Sequence, residues 1–344
     1  MRQFYIFTNS PGEVFAWAQP LCERLSQEFD SIDIYIFLTP CQYATGEEAR
    51  VAAAFSGVTR VFHPKETVKM LLFKSLDFKP GTVFFMGGDP FHSKRFASRT
   101  KSHLVGYFDY SSANMDGFDY VFSKSKTLDL MAANITPSPI YDRKGLVLLP
   151  GSRPEHLEVA LPLMLKISDS FDDVTVMVSP FTSSDQLTQF KQRYSHIEFI
   201  RMNHVNDLSF FKFALTIPGT NTMQLAYLQI PFLMILPTHD SRILRLDGLI
   251  GLMLNIPIIG PVLKYIILNL RVSSRHLYSL PNLALGYQVC PELVGRFSIE
   301  AAKLALSDIS NNEKNYHQMV NDLKQLKVGE NALDGVIEFL NGVS

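Results

Sequence analysis

The sequence predicts an α/β protein built from two Rossmann-like halves. Three observations carry this. Short continuous apolar runs recur along the chain, and amphipathic stretches at helical spacing separate them. That alternation breaks near residue 140 and then restarts. The 344-residue length suits two domains better than one. Continuous apolar strands separated by helices imply parallel sheets with both faces covered.

In the first half, "QFYIFTN", "IDIYIFL", "VTRVFHP", "PGTVFFMGG", "HLVGYF" and "YVFSKS" read as strands. Between them, "VFAWAQPLCERLSQEF", "GEEARVAAAF" and "TVKMLLFKSL" read as helices. Prolines, mixed charge and a glycine make Ile135–Gly145, "ITPSPIYDRKG", the linker candidate. The second half repeats the pattern with strands "LVLLP", "VTVMVSP", "IEFIRM", "ALTIPG" and "PFLMILP". Its helices are "EVALPLMLKIS", "SDQLTQFKQRY", the short "NDLSFFKF" and "TMQLAYLQI". The stretches "EAAKLALSDI", "NYHQMVNDLKQL" and "ALDGVIEFLNG" close the chain as helices. The expected domains are residues 1–140, 141–325 and a closing helix at 326–344 that packs back on the first. In open α/β sheets ligands sit at the carboxyl ends of strands, so a cleft faced by both halves is the expected place for chemistry.

A net charge of −1 gives no electrostatic case for nucleic-acid binding. Cys22, Cys41 and Cys290 are far apart and odd in number, which suggests neither a zinc site nor a disulfide framework and fits a reducing cytoplasm. The N-terminus reads as a first strand, not a signal peptide. The apolar segment 249–270, "LIGLMLNIPIIGPVLKYIILNL", is broken by Asn255, Pro257, Gly260, Pro261 and Lys264. A spanning helix is thus disfavoured, and two readings stand: an interfacial element on a membrane, or a buried helical hairpin. The chain contains no Asp-x-Asp pair and its histidines are scattered, so no protein-held divalent metal is expected.

Four stretches at strand ends carry candidate chemistry. "LLPGSRPEHL" runs from a strand through Gly151-Ser152-Arg153 into a helix. Backbone N–H groups at a helix start favour an anion and an arginine adds a fork of donors, so the turn is a phosphate candidate. The bland alternative is a turn with a surface arginine. "TIPGTNTMQ" ends another strand in Pro218-Gly219-Thr220 and offers a second such turn. "TNSPGEVFAW" places Gly12 and Glu13 at the first helix start, where Glu13 is either a site carboxylate or a dipole partner. "FFMGGDPFHSKRF" brings Asp89 out of a strand end as a general-base candidate, or as a helix cap followed by Pro90. G-x-G-x-x-G and G-x-S-x-G are both absent.

Taken together, the motifs resemble the lipid-A-disaccharide synthase family of GT-B glycosyltransferases. "PGEVFAW", "GGDPF", "LLPGSR", "PGTNTMQ" and "SLPNLALGYQVCPEL" follow in family order, and "LLPGSR" with "LPNL…PEL" match most closely. The resemblance implies a GT-B fold and inverting, metal- and cofactor-independent transfer of an acylated glucosamine from a UDP-sugar to a lipid-linked sugar phosphate. It places Asp89 as the base and Glu13, beside Gly12, near the acceptor. It places Gly151, Ser152, Arg153, Gly219, Thr220, Gln224, Asn282 and Glu292 around the UDP-sugar donor. Its partners are the donor, a glycolipid acceptor and the inner-leaflet surface, reached through 249–270 by a cytoplasmic, peripheral protein of a Gram-negative bacterium.

The departures fall mainly on the acceptor side. Val14-Phe15-Ala16-Trp17 replaces an acidic turn after Glu13, Asp89 stands where the family carries two acidic residues, and "GYFDYSSANMD" replaces a tryptophan-rich stretch. Gln224 stands where a ribose-binding glutamate is usual. Three alternatives therefore remain: a related enzyme with another glycolipid acceptor, a UDP-sugar 2-epimerase, and a non-catalytic UDP-binding homologue.

Overall fold

The computed structural model describes residues 2–73, 77–108, 115–123, 130–133, 135–237, 277–326 and 333–343. Segment 249–270 lies outside them, and with it the choice between a membrane element and a core hairpin. The chain divides into two units, Met1–Asn134 with Val328–Ser344, and Ile135–Lys327.

Unit 1 holds β1 (Arg2–Thr8), β2 (Ile32–Leu38), β3 (Val58–Phe62), β4 (Thr82–Phe85), β5 (His103–Phe108) and β6 (Tyr120–Ser123). They form one parallel sheet in the order β3-β2-β1-β4-β5-β6. Phenylalanines set its register. Phe7 pairs with Phe37 and Phe37 with Phe62, and their rings stack at 4.8 and 4.6 Å. A one-residue slip would turn this ladder to the other face of the sheet. Tyr5, Phe96, Leu71 and Val83 complete the core on that side.

The first helical stretch differs from a plain α-helix. A short capped turn, Pro11–Glu13, leads into a π-helical turn at Val14–Ala18, and α-helix resumes over Gln19–Glu28. Pro20 explains the widening: it has no N–H for the Ala16 carbonyl four residues back, and its ring crowds that oxygen. The closing helix Asp334–Gly342 belongs to unit 1, where Arg24 pairs with Asp334 at 3.1 Å and Phe339 stacks on Tyr120 at 5.0 Å.

Unit 2 holds β7 (Lys144–Leu149), β8 (Val174–Val178), β9 (Glu198–Arg201), β10 (Phe211–Thr216), β11 (Phe232–Pro237) and β12 (Glu292–Gly295). Their order, β12-β11-β10-β7-β8-β9, repeats the topology of unit 1, and all neighbours are again parallel. The apolar runs do not predict β12, which is four residues long, follows Pro291 and keeps three of its residues half-exposed. The 135–145 stretch is tied into this unit. Buried Arg143 donates to the carbonyls of Ser138, Leu228 and Gln229, and Thr136 N donates to Asn206 Oδ1. Among the described residues no helix is long and apolar enough to cross a membrane.

Candidate functional site

Each sheet reverses its strand order once, between its first and fourth strands. A crevice opens outside the carboxyl ends of two such strands, because their connections leave in opposite directions. The sequence-selected turns fall at these two places.

In unit 2 the reversal lies between β7 and β10, paired up to Leu149 and Thr216. β7 runs out into Pro150-Gly151-Ser152-Arg153, and β10 into Ile217-Pro218-Gly219-Thr220. The two turns are therefore neighbours in space, although separated in sequence. Gly151 has φ +103°, and a Cβ there would stand 2.7 Å from Ile217 Cδ1 and 2.8 Å from His156 Nδ1. Its backbone lies where side chains are strained, and a Cβ would also press on the Ile217 and His156 side chains, so both favour glycine here. Arg153 caps the helix Pro154–Ile167, with Pro154 at its first position. Ser152 and Arg153 are half-exposed. Gly219 has φ +146° with open space where a Cβ would be, and it caps the helix Thr220–Tyr227. Two helix starts thus lie side by side at the strand-order reversal, an arrangement that favours a bound anion.

A second layer holds the Gly219 turn. Thr222 Oγ1 donates to Gly219 O at 2.8 Å and accepts from Leu280 N at 3.2 Å. Leu280 opens the short helix Leu280–Leu285, which Glu292 anchors. Glu292 accepts from Tyr278 N at 2.9 Å, Ser279 N at 2.8 Å and Asn282 Nδ2 at 2.6 Å. The resemblance puts Asn282 at the ligand, but the structure gives it a different task. It is fully buried; Nδ2 also donates to Cys290 O, and Oδ1 accepts from Val289 N and Cys290 N. All its donor and acceptor capacity is used inside the protein, in contacts that shape the loop. Gln224 is also buried, at 3% exposure. Thr222 had no signal in the sequence beyond its place in the Thr220-Asn221-Thr222 run. Burial pushes the nearby Cys290 thiol up to about 12.

In unit 1 the reversal lies between β1 and β4, paired up to Phe7 and Phe85. The Ser10 turn follows β1 and Gly87-Gly88-Asp89 follows β4. Glu13 Oε2 accepts from Asn9 N at 3.3 Å and Ser10 N at 3.2 Å, while Ser10 Oγ accepts from Glu13 N. This is a capping box, so the helix-start reading of Glu13 describes its contacts. Gly12 lies inside that capped turn. Gly87 has φ +137°, and a Cβ there would fall on the Glu13 carboxylate, so tertiary structure brings Glu13 and the β4 turn together. Asp89 caps the helix Pro90–Thr100 by accepting from Phe91 N at 2.9 Å, and it is exposed. A cap and a base are compatible, because a carboxylate has a second oxygen. His92 sits on the same turn, its Nδ1 3.3 Å from Asp89 O. Among the described residues no cluster of histidine, cysteine, aspartate and glutamate could hold a metal ion.

No protein-family model matches the chain, and no curated protein matches it significantly. Solved structures do. S. aureus MnaA in a co-structure with UDP is 12% identical, with 99% of this chain and 97% of that one covered at a TM-score of 0.51. A UDP-N-acetylglucosamine 2-epimerase is 14% identical, with 100% and 97% covered, also at 0.51. Acinetobacter baumannii MurG is 12% identical, with 99% and 100% covered at 0.48. At such identities the likeness is one of fold. It fits the sheet topology, and the fold class is GT-B with two Rossmann-like units.

Proposed function

We propose that this chain is a nucleotide-sugar enzyme that binds the diphosphate of a UDP-sugar at the β7/β10 crevice of unit 2. One observation carries the reading: the Gly151-Ser152-Arg153 and Gly219-Thr220 turns are adjacent at the strand-order reversal. Two GT-B neighbours support it, one solved in complex with UDP and one a UDP-N-acetylglucosamine 2-epimerase. Arg153 and the turn N–H groups would meet the diphosphate charge, which grows as the glycosidic bond breaks.

The finer proposal is inverting transfer of an acylated glucosamine to a glycolipid acceptor. The acceptor hydroxyl oxygen attacks the sugar anomeric carbon, Asp89 takes the hydroxyl proton, and UDP leaves with the bonding electron pair. Glu13 holds the Ser10 turn in place and lies against the Gly87 turn. Segment 249–270 would bring the protein to the membrane surface where acylated substrates lie; cosedimentation with anionic vesicles tests that separately. The rival reading is epimerisation at the sugar's C2, the activity in one neighbour's name.

Calorimetric titration with UDP tests the core proposal. Micromolar binding by the whole chain, lost at least tenfold in Arg153→Ala with an unchanged melting temperature, is expected. Equal affinity in the variant would refute the diphosphate assignment. Incubation with a UDP-sugar separates the rivals: a transferase releases UDP when an acceptor is added, whereas an epimerase gives a C2 epimer without one.

A further inference from the structure

Unit 1 contains side chains for which the reaction above has no use. Thr39 Oγ1 and Asn9 Oδ1 are buried without a hydrogen-bond partner, and Thr39 is 2% exposed. Thr8 Oγ1, on the strand beside them, is a third such atom. All lie at the carboxyl ends of β1 and β2, where Thr39 N donates to Thr8 O at 3.0 Å.

Two of these side chains approach Gly88, Thr39 by its unpartnered Oγ1 and Asn9 by the Nδ2 of the same amide. Gly88 has φ +82°, and a Cβ there would stand 2.6 Å from Thr39 Oγ1 and 2.9 Å from Asn9 Nδ2. The next residue is Asp89. An uncharged amide and a hydroxyl therefore flank the glycine that carries the exposed carboxylate. Buried polar atoms without partners cost stability and are uncommon. They are retained more readily where a ligand supplies the missing partner.

The chemistry of the pair selects the ligand. Asn9 offers an amide acceptor and donors, and Thr39 a hydroxyl that both donates and accepts. A sugar hydroxyl is likewise donor and acceptor, and matches them. A phosphate calls for cations or several N–H donors, which this pair does not supply.

We infer that Asn9 and Thr39 bind a hydroxyl of the acceptor sugar at the Gly87-Gly88 turn and set it beside the Asp89 carboxylate. The inference rests on the nucleotide-sugar reading. Both oxygens are covered in the folded chain. Binding therefore requires a small shift of the Gly87-Gly88 turn, whose two glycines sit in the left-handed region. Asn9 and Thr39 then select for a neutral polyol at this position.

The test is titration of the full chain with N-acetylglucosamine, and with inorganic phosphate as a control, followed by saturation-transfer NMR. Trp17 is the single tryptophan and packs on Tyr107 at 4.9 Å, so its fluorescence gives a second readout in the same unit. The sugar should bind and phosphate should not compete with it. Thr39→Val, which exchanges the hydroxyl for a methyl of the same shape, should weaken sugar binding roughly five- to tenfold. UDP affinity should stay unchanged. Asn9→Ala gives the same reading should Thr39→Val fold poorly. No sugar binding by the native chain, or equal binding by both variants, would overturn the inference. A rise in melting temperature without loss of sugar binding would do so too, because it would show a mere packing defect repaired. Loss of UDP binding in the native chain would strike the nucleotide-sugar reading alone and leave the sugar titration standing.

Discussion

Replacing Glu292 separates a structural clamp from a ligand contact. Its carboxylate accepts three hydrogen bonds, from Tyr278 N, Ser279 N and Asn282 Nδ2. Ser279 and Asn282 are fully buried, so their N–H groups have no water to turn to. Glu292→Gln keeps the volume but places an amide NH2 where one carboxylate oxygen accepted. If its oxygen serves Ser279 and Asn282, the NH2 faces Tyr278 N, donor against donor. The loss is about one charge-assisted bond, roughly 1.5–3 kcal/mol. For a unit of this size, at roughly 2–4 °C per kcal/mol, that lowers the melting temperature by roughly 3–12 °C. Glu292→Ala abandons all three donors, and should cost roughly 3–4 kcal/mol, less than the sum of separate penalties because water can enter. Scanning calorimetry of the full chain resolves this as a shift in the unit 2 transition. Melting within 1 °C of native in both variants, together with lost UDP affinity, would refute the clamp and return Glu292 to the ligand.

Asp89→Asn should lower turnover about 10²–10⁴-fold if Asp89 is the base, with a melting temperature close to native, since asparagine caps a helix as well as aspartate does. Near-native turnover would remove it from the mechanism. Burial raises the thiols of Cys22 and Cys290, the latter to about 12, so both should resist thiol reagents at pH 8 while half-buried Cys41 reacts. Above the unfolded thiol pKa of about 8.5 the unfolded chain sheds these protons first. Stability should therefore fall by about 1.4 kcal/mol per pH unit for each buried thiol as pH rises from 9 toward 12, which urea melts at stepped pH will show.

Most of the fold was legible in the sequence because strand segments such as "IYIFL" and "LVLL" are apolar throughout and are best buried between helices. β12 was not, since "ELVG" is too short to form a run and gains its place only by pairing Glu292 with Met234 and Val294 with Leu236. The turns at Gly151 and Gly219 were found for the same reason as the strands: punctuation by Pro-Gly after an apolar run is a local signal. The role of Asn282 was not local, because it rests on hydrogen bonds to Val289, Cys290 and Glu292 across a loop.

The sequence by itself determined the alternation of strand and helix, and hence the class of fold and the turns where backbone N–H groups are exposed. These follow from periodicity and from backbone limits on glycine and proline, which act over a few residues. Tertiary structure alone decided which turns are neighbours. The strand order sets Gly151 against Ile217 and Glu13 against Gly87, and packing then sets the Asn9 and Thr39 side chains beside Gly88 with Asn9 Oδ1 and Thr39 Oγ1 unpaired. Those contacts join residues distant in sequence, and only the pairing of β1 with β4 and of β7 with β10 brings them within reach.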